Sequence, residues 1–358
     1  MTELETIAAA LGPAGGGVAV LATLMQVDGS AYRGPGARMV VRPDGSSVGA
    51  ISGGCLEKDI LAHADAVRTS LAATLVHFDL TRDDNAPWGL NMGCEAKLDV
   101  LLEPCSGVPD HLAAAVDAER RRDGAVIATC FGAPAGGPAI GARLVLLDEV
   151  QSATGPLAEG AFGGTVRTDA HRVMREERSD VVAYGSGADR VGVFFEYIAR
   201  PVALVVCGEG ADTAPLAALG ESLGWQVRRV AKDDALGRLD DRTAAVVMTH
   251  NYPRDVALPR TEDTDVACSR RQQRSEQGDV GVLGPRRRTE RLLADLRAAG
   301  QEVAPGTLRR LHAPVGLDLG AETPAEVALS IAAEVRAVFS SRAGGALRER
   351  QGPIHDRR

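Results

Sequence analysis

Aromatic residues are scarce, at 3% of 358 residues. Val, Leu, Ile and Ala must therefore fill the cores. Long hydrophobic runs are also missing. None reaches the roughly 20 apolar residues that a membrane-spanning helix needs. The opening MTELETIAAALG is acidic where a secretory leader would be basic. A cytoplasmic protein that does not engage membranes is expected. Positive charge is not in excess: Lys and Arg number 40 against 48 Asp and Glu, a net charge of −8. That balance argues against nucleic acid or an anionic membrane as the main partner. The cysteines, Cys55, Cys94, Cys105, Cys130, Cys207 and Cys268, form no CxxC pair and no disulfide-like spacing. They are expected to be free thiols in a reducing compartment. No Cys/His cluster has zinc-ligand spacing.

What is present is glycine, 41 residues of it, much of it in loops beside apolar runs. The length predicts more than one core, and the pattern divides near residue 200. Residues 1–200 read as a mixed α/β domain, with a subdivision near 106. Residues 3–11 predict a short helix and VAVLATLMQV a buried strand. A hairpin joins ARMVV to SVGAI through Pro-Asp-Gly. Residues 56–71 predict an amphipathic helix, with apolar positions at 56, 60, 61, 64 and 67. Strands ATLVHFDL and KLDVLLEP follow, then a helix from Pro109 that Gly124 is expected to close. AVIATCF, ARLVLLDE and RVGVFFEYIARP complete this half. From Pro201 strands and helices alternate to about residue 342, which predicts a Rossmann-like, doubly wound parallel sheet. Thr323, Pro324 and Glu326 read as a capping box that opens the last helix. Residues 343–358 are expected to be a disordered tail. No internal repeat is read.

Several stretches carry candidate chemistry. In ISGGCLEKDI, Gly53 and Gly54 precede Cys55 and a helix follows. Bare glycines admit a large ligand to the backbone, and a helix N-terminus favours a thiolate. The alternative is a structural cysteine in a tight turn. WGLNMGCEAK repeats the theme with Gly93 and Cys94, on a separate element that can face the same cleft. DGSAYRGPGARM adds Tyr32, Arg33 and Arg38; the two arginines can hold a phosphate or lie solvated on a hairpin. Gly208 and Gly210 stand between a strand and a helix, as in a dinucleotide fingerprint, with Thr213 where the third glycine belongs. A nucleotide site or a bare scaffold both fit. His250 and Asn251 lie at the carboxyl edge of the predicted sheet. Asp318 and Gly320 lie in a glycine loop before a helix N-terminus suited to an anion. No spacing of catalytic residues names a reaction.

Taken together, DGSAYRGPGARMVV, GAISGGCLEKDI, WGLNMGCEAKLDVLLEP, VVMTHNYPRD, VGVLGPRRR and PVGLDLGAETPAEVALSIAAEV resemble, in order, the XdhC/CoxI family, accessory proteins of xanthine dehydrogenase and related molybdenum hydroxylases. The likeness spans about residues 15–340. It implies a carrier more than an enzyme: a chaperone that binds the molybdenum cofactor (molybdenum-molybdopterin), protects it during sulfuration and inserts it into the apo-hydroxylase. It implies Cys55 as the cofactor-binding, metal-facing thiol, a cysteine desulfurase as sulfur donor, and a homodimer. Two departures stand out. Residues 265–279 are unusually polar, with Asp279 in place of a tyrosine, and GCEAK replaces the usual GCGG. The rival reading is an NAD(P)-dependent oxidoreductase with Cys55 in its substrate pocket.

Overall fold

The computed structural model describes residues 1–12, 17–54, 56–80, 95–148, 153–231, 239–248, 279–298 and 305–351. Glu3–Arg200 form one compact unit, and Met1–Thr2 with Pro201–Gln351 form another.

Two five-stranded antiparallel sheets build the first unit. One comprises β1 (Ala19–Ser30), β2 (Arg38–Val41), β3 (Ser47–Gly49), β4 (Thr74–Asp79) and β5 (Glu95–Cys105), in the order β3-β2-β1-β5-β4. The other comprises β6 (Ala125–Gly132), β7 (Arg143–Leu147), β8 (Ala153–Thr154), β9 (Asp180–Tyr184) and β10 (Val191–Ile198), in the order β8-β7-β6-β10-β9. Helices α1 (Glu3–Leu11) and α2 (Glu57–Ser70) belong to the first, and α3 (Asp110–Arg121) and α4 (Gly160–Glu176) to the second. The same order therefore occurs twice: helix, three strands, helix, two strands. The expectation of no internal repeat is wrong, because the unit is a tandem duplication.

The equivalence extends to single residues. AVLAT (19–23) matches AVIAT (125–129), and the Gly-Ala-Arg ending at Arg38 matches the one ending at Arg143. Thr23 pairs with Arg38 across β1 and β2, and Thr129 with Arg143 across β6 and β7. A register shift in β1 takes Met25 out of the ladder, and one opposite Gly192 and Val193 does the same for Phe131. Both side chains then meet Leu101 and Phe194 in one apolar cluster. Gly49 and Gly155 have φ of 83° and 108°, and a Cβ on either would strike the carbonyl of Arg38 or Arg143 respectively. Only glycine fits both places.

Strand alternation explains the layers. Val20, Ala22 and Leu24 face α2, whereas Leu21 faces α1. In the second copy Val126, Ala128 and Cys130 face α4, and Ala125 and Ile127 face α3. Helices α1 and α3 lie against each other. Two ion pairs cross between the copies. Arg38 binds Glu196 through both terminal nitrogens (Nη1–Oε1 2.8 Å), and Arg143 binds Glu103 in the same way (Nη1–Oε1 2.8 Å). Each Nη1 also donates to a carbonyl two residues back, Gly36 or Gly141. Such bidentate pairing is what lets a guanidinium and a carboxylate share a dry site. His111 of α3 is buried near both arginines; burial first, then their charges, push its pKa down to about 2, so it is neutral.

Local endings differ from expectation in one respect. Helix α3 closes at Arg122 in the left-handed conformation (φ 56°), not at Gly124. Leu71 and Glu177 close α2 and α4 in the same way. Helix α4 and strand β9 lie where periodicity suggests no element, because Gly160, Gly163 and Gly164 obscure the helix start. A Cβ on Gly163 would run into the Ala158 backbone, which is why a poor helix former stands there.

In the second unit five parallel strands, β11 (Ala203–Cys207), β12 (Gln226–Val230), β13 (Thr243–Val247), β14 (Asp279–Val282) and β15 (Leu311–His312), take the order β12-β11-β13-β14-β15. This is the expected Rossmann-like sheet. Helix α5 (Thr213–Ser222) follows β11; α6 (Arg286–Ala298) and α7 (Pro305–Arg309) precede β15; α8 (Pro324–Phe339) closes the fold. Leu204, Val206, Leu216, Ile331 and Val335 share one core. Thr323 and Glu326 form the predicted capping box at the start of α8. Residues 343–350 are exposed or half-buried and include a short 3-10 turn, Leu347–Glu349.

Candidate cofactor-binding site

Cys55 itself lies outside the described residues, but both sides of its loop are described. Residues 50–56 join β3 to α2. Ser52 is buried, with 6% of its surface exposed. Its Oγ donates to Glu57 Oε2 (2.6 Å), and its N–H donates to Glu57 Oε1 (2.9 Å). The N–H groups of Gly54 and Leu56, on either side of Cys55, both reach Ser52 Oγ, at 3.2 and 3.1 Å. Leu56 N–H also meets Glu57 Oε2 at 3.2 Å. Burial raises the Glu57 pKa, but the hydroxyl and amide donors outweigh it and hold the carboxyl below its usual range. Gly54 has φ of 116° and nothing within 4 Å of where a Cβ would be. The ring of Tyr32 covers Gly53, its Cγ 3.7 Å from the position of a Cβ there, and is itself 66% exposed. The loop thus has an open face at Gly54, an aromatic ring over Gly53 and a tied base.

Tyr32, Gly53 and Gly54 are brought together. Arg33 and Arg38 are not, and they do not form the expected phosphate clamp. Arg33 binds both oxygens of Glu3 (2.6 and 2.8 Å), and Arg38 turns inward to Glu196. Gly93, Cys94, His250 and Asn251 lie outside the described residues. Sequence reasoning singled out neither Ser52 nor Glu57. The signal was the serine and glutamate bracketing the thiol in SGGCLE.

In the Rossmann-like unit, Gly208 (φ 147°) turns the chain after β11, and a Cβ there would approach the Met248 carbonyl to 2.8 Å. Thr213 is fully buried; its N–H and Oγ1 both donate to the Gly210 carbonyl, at 3.1 and 2.8 Å. Arg229 donates to Thr213 Oγ1 (3.1 Å). The place of the third glycine is therefore filled by a bonded side chain. Asp318 and Gly320 (φ 68°) lie in the connection to α8, where Leu317 N–H is tied to Ser330. On the edge strand β15, His312 lies between Glu334 (3.0 Å) and Asp279 (3.6 Å). Asp279, Glu334 and their charges outweigh burial and raise its pKa to about 8. The departure at Asp279 thus has a partner.

Two family models match the chain: the XdhC and CoxI family over residues 14–79, and the XdhC Rossmann domain over residues 204–335. The chain belongs to the XdhC/CoxI family. It is 27% identical over 340 residues to a Bacillus subtilis protein named as a probable xanthine dehydrogenase subunit, covering 88% of this chain and 92% of that one. It is 42% identical over 74 residues to the Escherichia coli "Uncharacterized protein YqeB", covering 21% of this chain and 13% of that protein. A crystal structure described as a xanthine dehydrogenase from Bacillus halodurans shares the fold, with a TM-score of 0.70, 24% identity, and coverage of 97% of this chain and 98% of that one. The XdhC and CoxI match contains the Cys55 loop and lies within the first copy of the duplication. Among the described residues no helix is long and apolar enough to cross a membrane.

Proposed function

We propose that this XdhC/CoxI protein is a maturation factor for a xanthine dehydrogenase-type molybdenum hydroxylase. It binds the molybdenum cofactor at the Cys55 loop, keeps it during sulfuration with a cysteine desulfurase as donor, and delivers it to the hydroxylase. Family membership across both units and a relative named for xanthine dehydrogenase along 92% of its length support the client class. The observation that carries the site is the open face at Gly54 beside Gly53, over which the exposed Tyr32 ring lies as a surface on which a pterin could stack. A thiolate at Cys55 is a soft donor suited to molybdenum and its sulfur ligands. When bound, the cofactor supplies the metal centre that the hydroxylase will use. This chain's Gly53, Gly54 and Tyr32 would offer it a backbone and ring surface. The Rossmann-like unit contributes a binding surface, for which a nucleotide is the candidate occupant.

The test is to express the full chain in a host that makes molybdopterin and to assay the purified protein for molybdenum and pterin. Both should co-purify in near-equal amounts. The rival oxidoreductase reading is favoured by the glycine turn at Gly208. NAD(P)H turnover on the order of 10 per second with small acceptors would establish that rival and overturn the carrier.

A further inference from the structure

We infer that Ser52 and Glu57 are positioning residues for the Cys55 loop, a hydroxyl–carboxylate knot that fixes the backbone on both sides of the thiol. The inference rests on the reading of Cys55 as the cofactor-binding thiol. The geometry is specific to the loop. The amides of Gly54 and Leu56 converge on one oxygen, Ser52 Oγ, and that hydroxyl donates in turn to Glu57 Oε2. Glu57 Oε1 takes the Ser52 N–H, closing the ring of contacts. The described residues on either side of position 55 are thereby held, while the face of Gly54 stays open.

A bland reading is that Glu57 merely caps α2, where an acid in the first turn is favourable by a few tenths of a kcal/mol or more. Two observations oppose it. The N-cap of α2 is Leu56, which offers no side-chain cap, and the Glu57 carboxylate bonds to Ser52 and Leu56, before the helix. The duplication supplies the second. The other copy makes the same passage from strand to helix: Gly155 stands for Gly49, and buried Leu157 for buried Ile51. There only residues 156–159 precede α4, where residues 50–56 precede α2, and Glu159 at the N-cap makes no side-chain cap bond. The same module therefore folds without the knot. What the first copy adds is the longer loop, the thiol and the two side chains that hold the loop.

The consequence is that the Gly54 and Leu56 amides are already engaged by protein. A ligand at Cys55 meets the bare face of Gly54 and the Tyr32 ring over Gly53 rather than a row of free helix amides.

The experiment uses the full chain with Ser52→Ala, Glu57→Gln and Ser52→Thr. Ser52→Ala removes the shared oxygen; Glu57→Gln replaces one acceptor with a donor; Ser52→Thr restores the hydroxyl. In cofactor-free protein the rate of Cys55 alkylation by iodoacetamide is followed by peptide mass. It should change at least about threefold in Ser52→Ala and Glu57→Gln and stay within about twofold in Ser52→Thr, because thiol reactivity follows local environment and access. Thermal midpoints should fall by no more than about 4 °C, as fits the loss of one or two hydrogen bonds. Protein from a molybdopterin-producing host should lose about tenfold in retained molybdenum and pterin in the first two variants, as roughly 1.4 kcal/mol of binding would give. Unchanged alkylation in both variants overturns the inference. So does a midpoint loss above about 10 °C, which would assign the knot to the fold. If alkylation shifts as expected while the wild-type protein retains no cofactor, the knot stands and the cofactor reading falls.

Discussion

Removing one member of a crossing ion pair tests the duplicated architecture. In Arg38→Met, Glu196 loses both guanidinium bonds while its side chain is only 12% exposed. An uncompensated carboxylate in so dry a site costs about 3–5 kcal/mol. In a unit of this size that corresponds to a fall in thermal midpoint of roughly 6–20 °C. The pseudo-equivalent change, Arg143→Met, strands Glu103 at 12% exposure and should cost a similar amount, within about 1 kcal/mol. The double variant Arg38→Met/Glu196→Leu should recover most of the loss, because an apolar pair of similar volume often replaces a buried ion pair at little cost. Urea unfolding of the full chain, followed by circular dichroism, gives all three values. Costs below about 1 kcal/mol for both single variants would place these pairs with ordinary surface bridges and refute the reasoning. So would a double variant no better than the singles.

The two histidines predict opposite pH behaviour in the two units. His312 has its pKa raised to about 8, so its stabilisation is full below the unfolded value near 6.5 and is lost as pH rises through 8. His312→Gln should remove about 1–2 kcal/mol of pH-dependent stability measured between pH 6 and 9. His111, with its pKa pushed down to about 2, does the reverse: its contribution holds above pH 6.5 and declines as pH falls below it, so His111→Gln should flatten the acid limb of the first unit's stability curve. Thr323→Ala breaks the capping box of α8 and should cost about 1 kcal/mol in urea unfolding.

Much of the second unit was legible because parallel strands buried on both faces read as continuous apolar runs, and Thr323-Pro324-Ala325-Glu326 signals its own helix start. The first unit was harder. AVLAT and AVIAT are ordinary buried-strand text, so their repetition carries weight only beside the repeated Gly-Ala-Arg and the equal order of elements. Helix α4 opens on glycines that serve packing against Ala158 rather than helix propensity, which hid it. At the site, the glycines and Tyr32 could be read from the sequence, since bare backbone and an aromatic ring have local signatures. The fate of Arg38 could not, because its carboxylate partner lies 158 residues away. Ser52 and Glu57 were overlooked for the opposite reason: their bonds are local, but the meaning lies in the other copy, which lacks them.

The most direct test of the central claim is retained cofactor in Cys55→Ser. Serine is close to cysteine in size, so the fold should survive, but a hydroxyl is too hard and too weakly acidic to replace the thiolate. Cys130→Ser is the control: Cys130 is buried in β6 with its thiol pKa raised by burial, and it faces the α4 core. Purified from a molybdopterin-producing host, Cys55→Ser should carry at most about a tenth of the wild-type molybdenum and pterin, the loss that roughly 1.4 kcal/mol of binding produces, and Cys130→Ser should match the wild type. Full molybdenum and pterin content in Cys55→Ser would make the thiol structural and contradict the account.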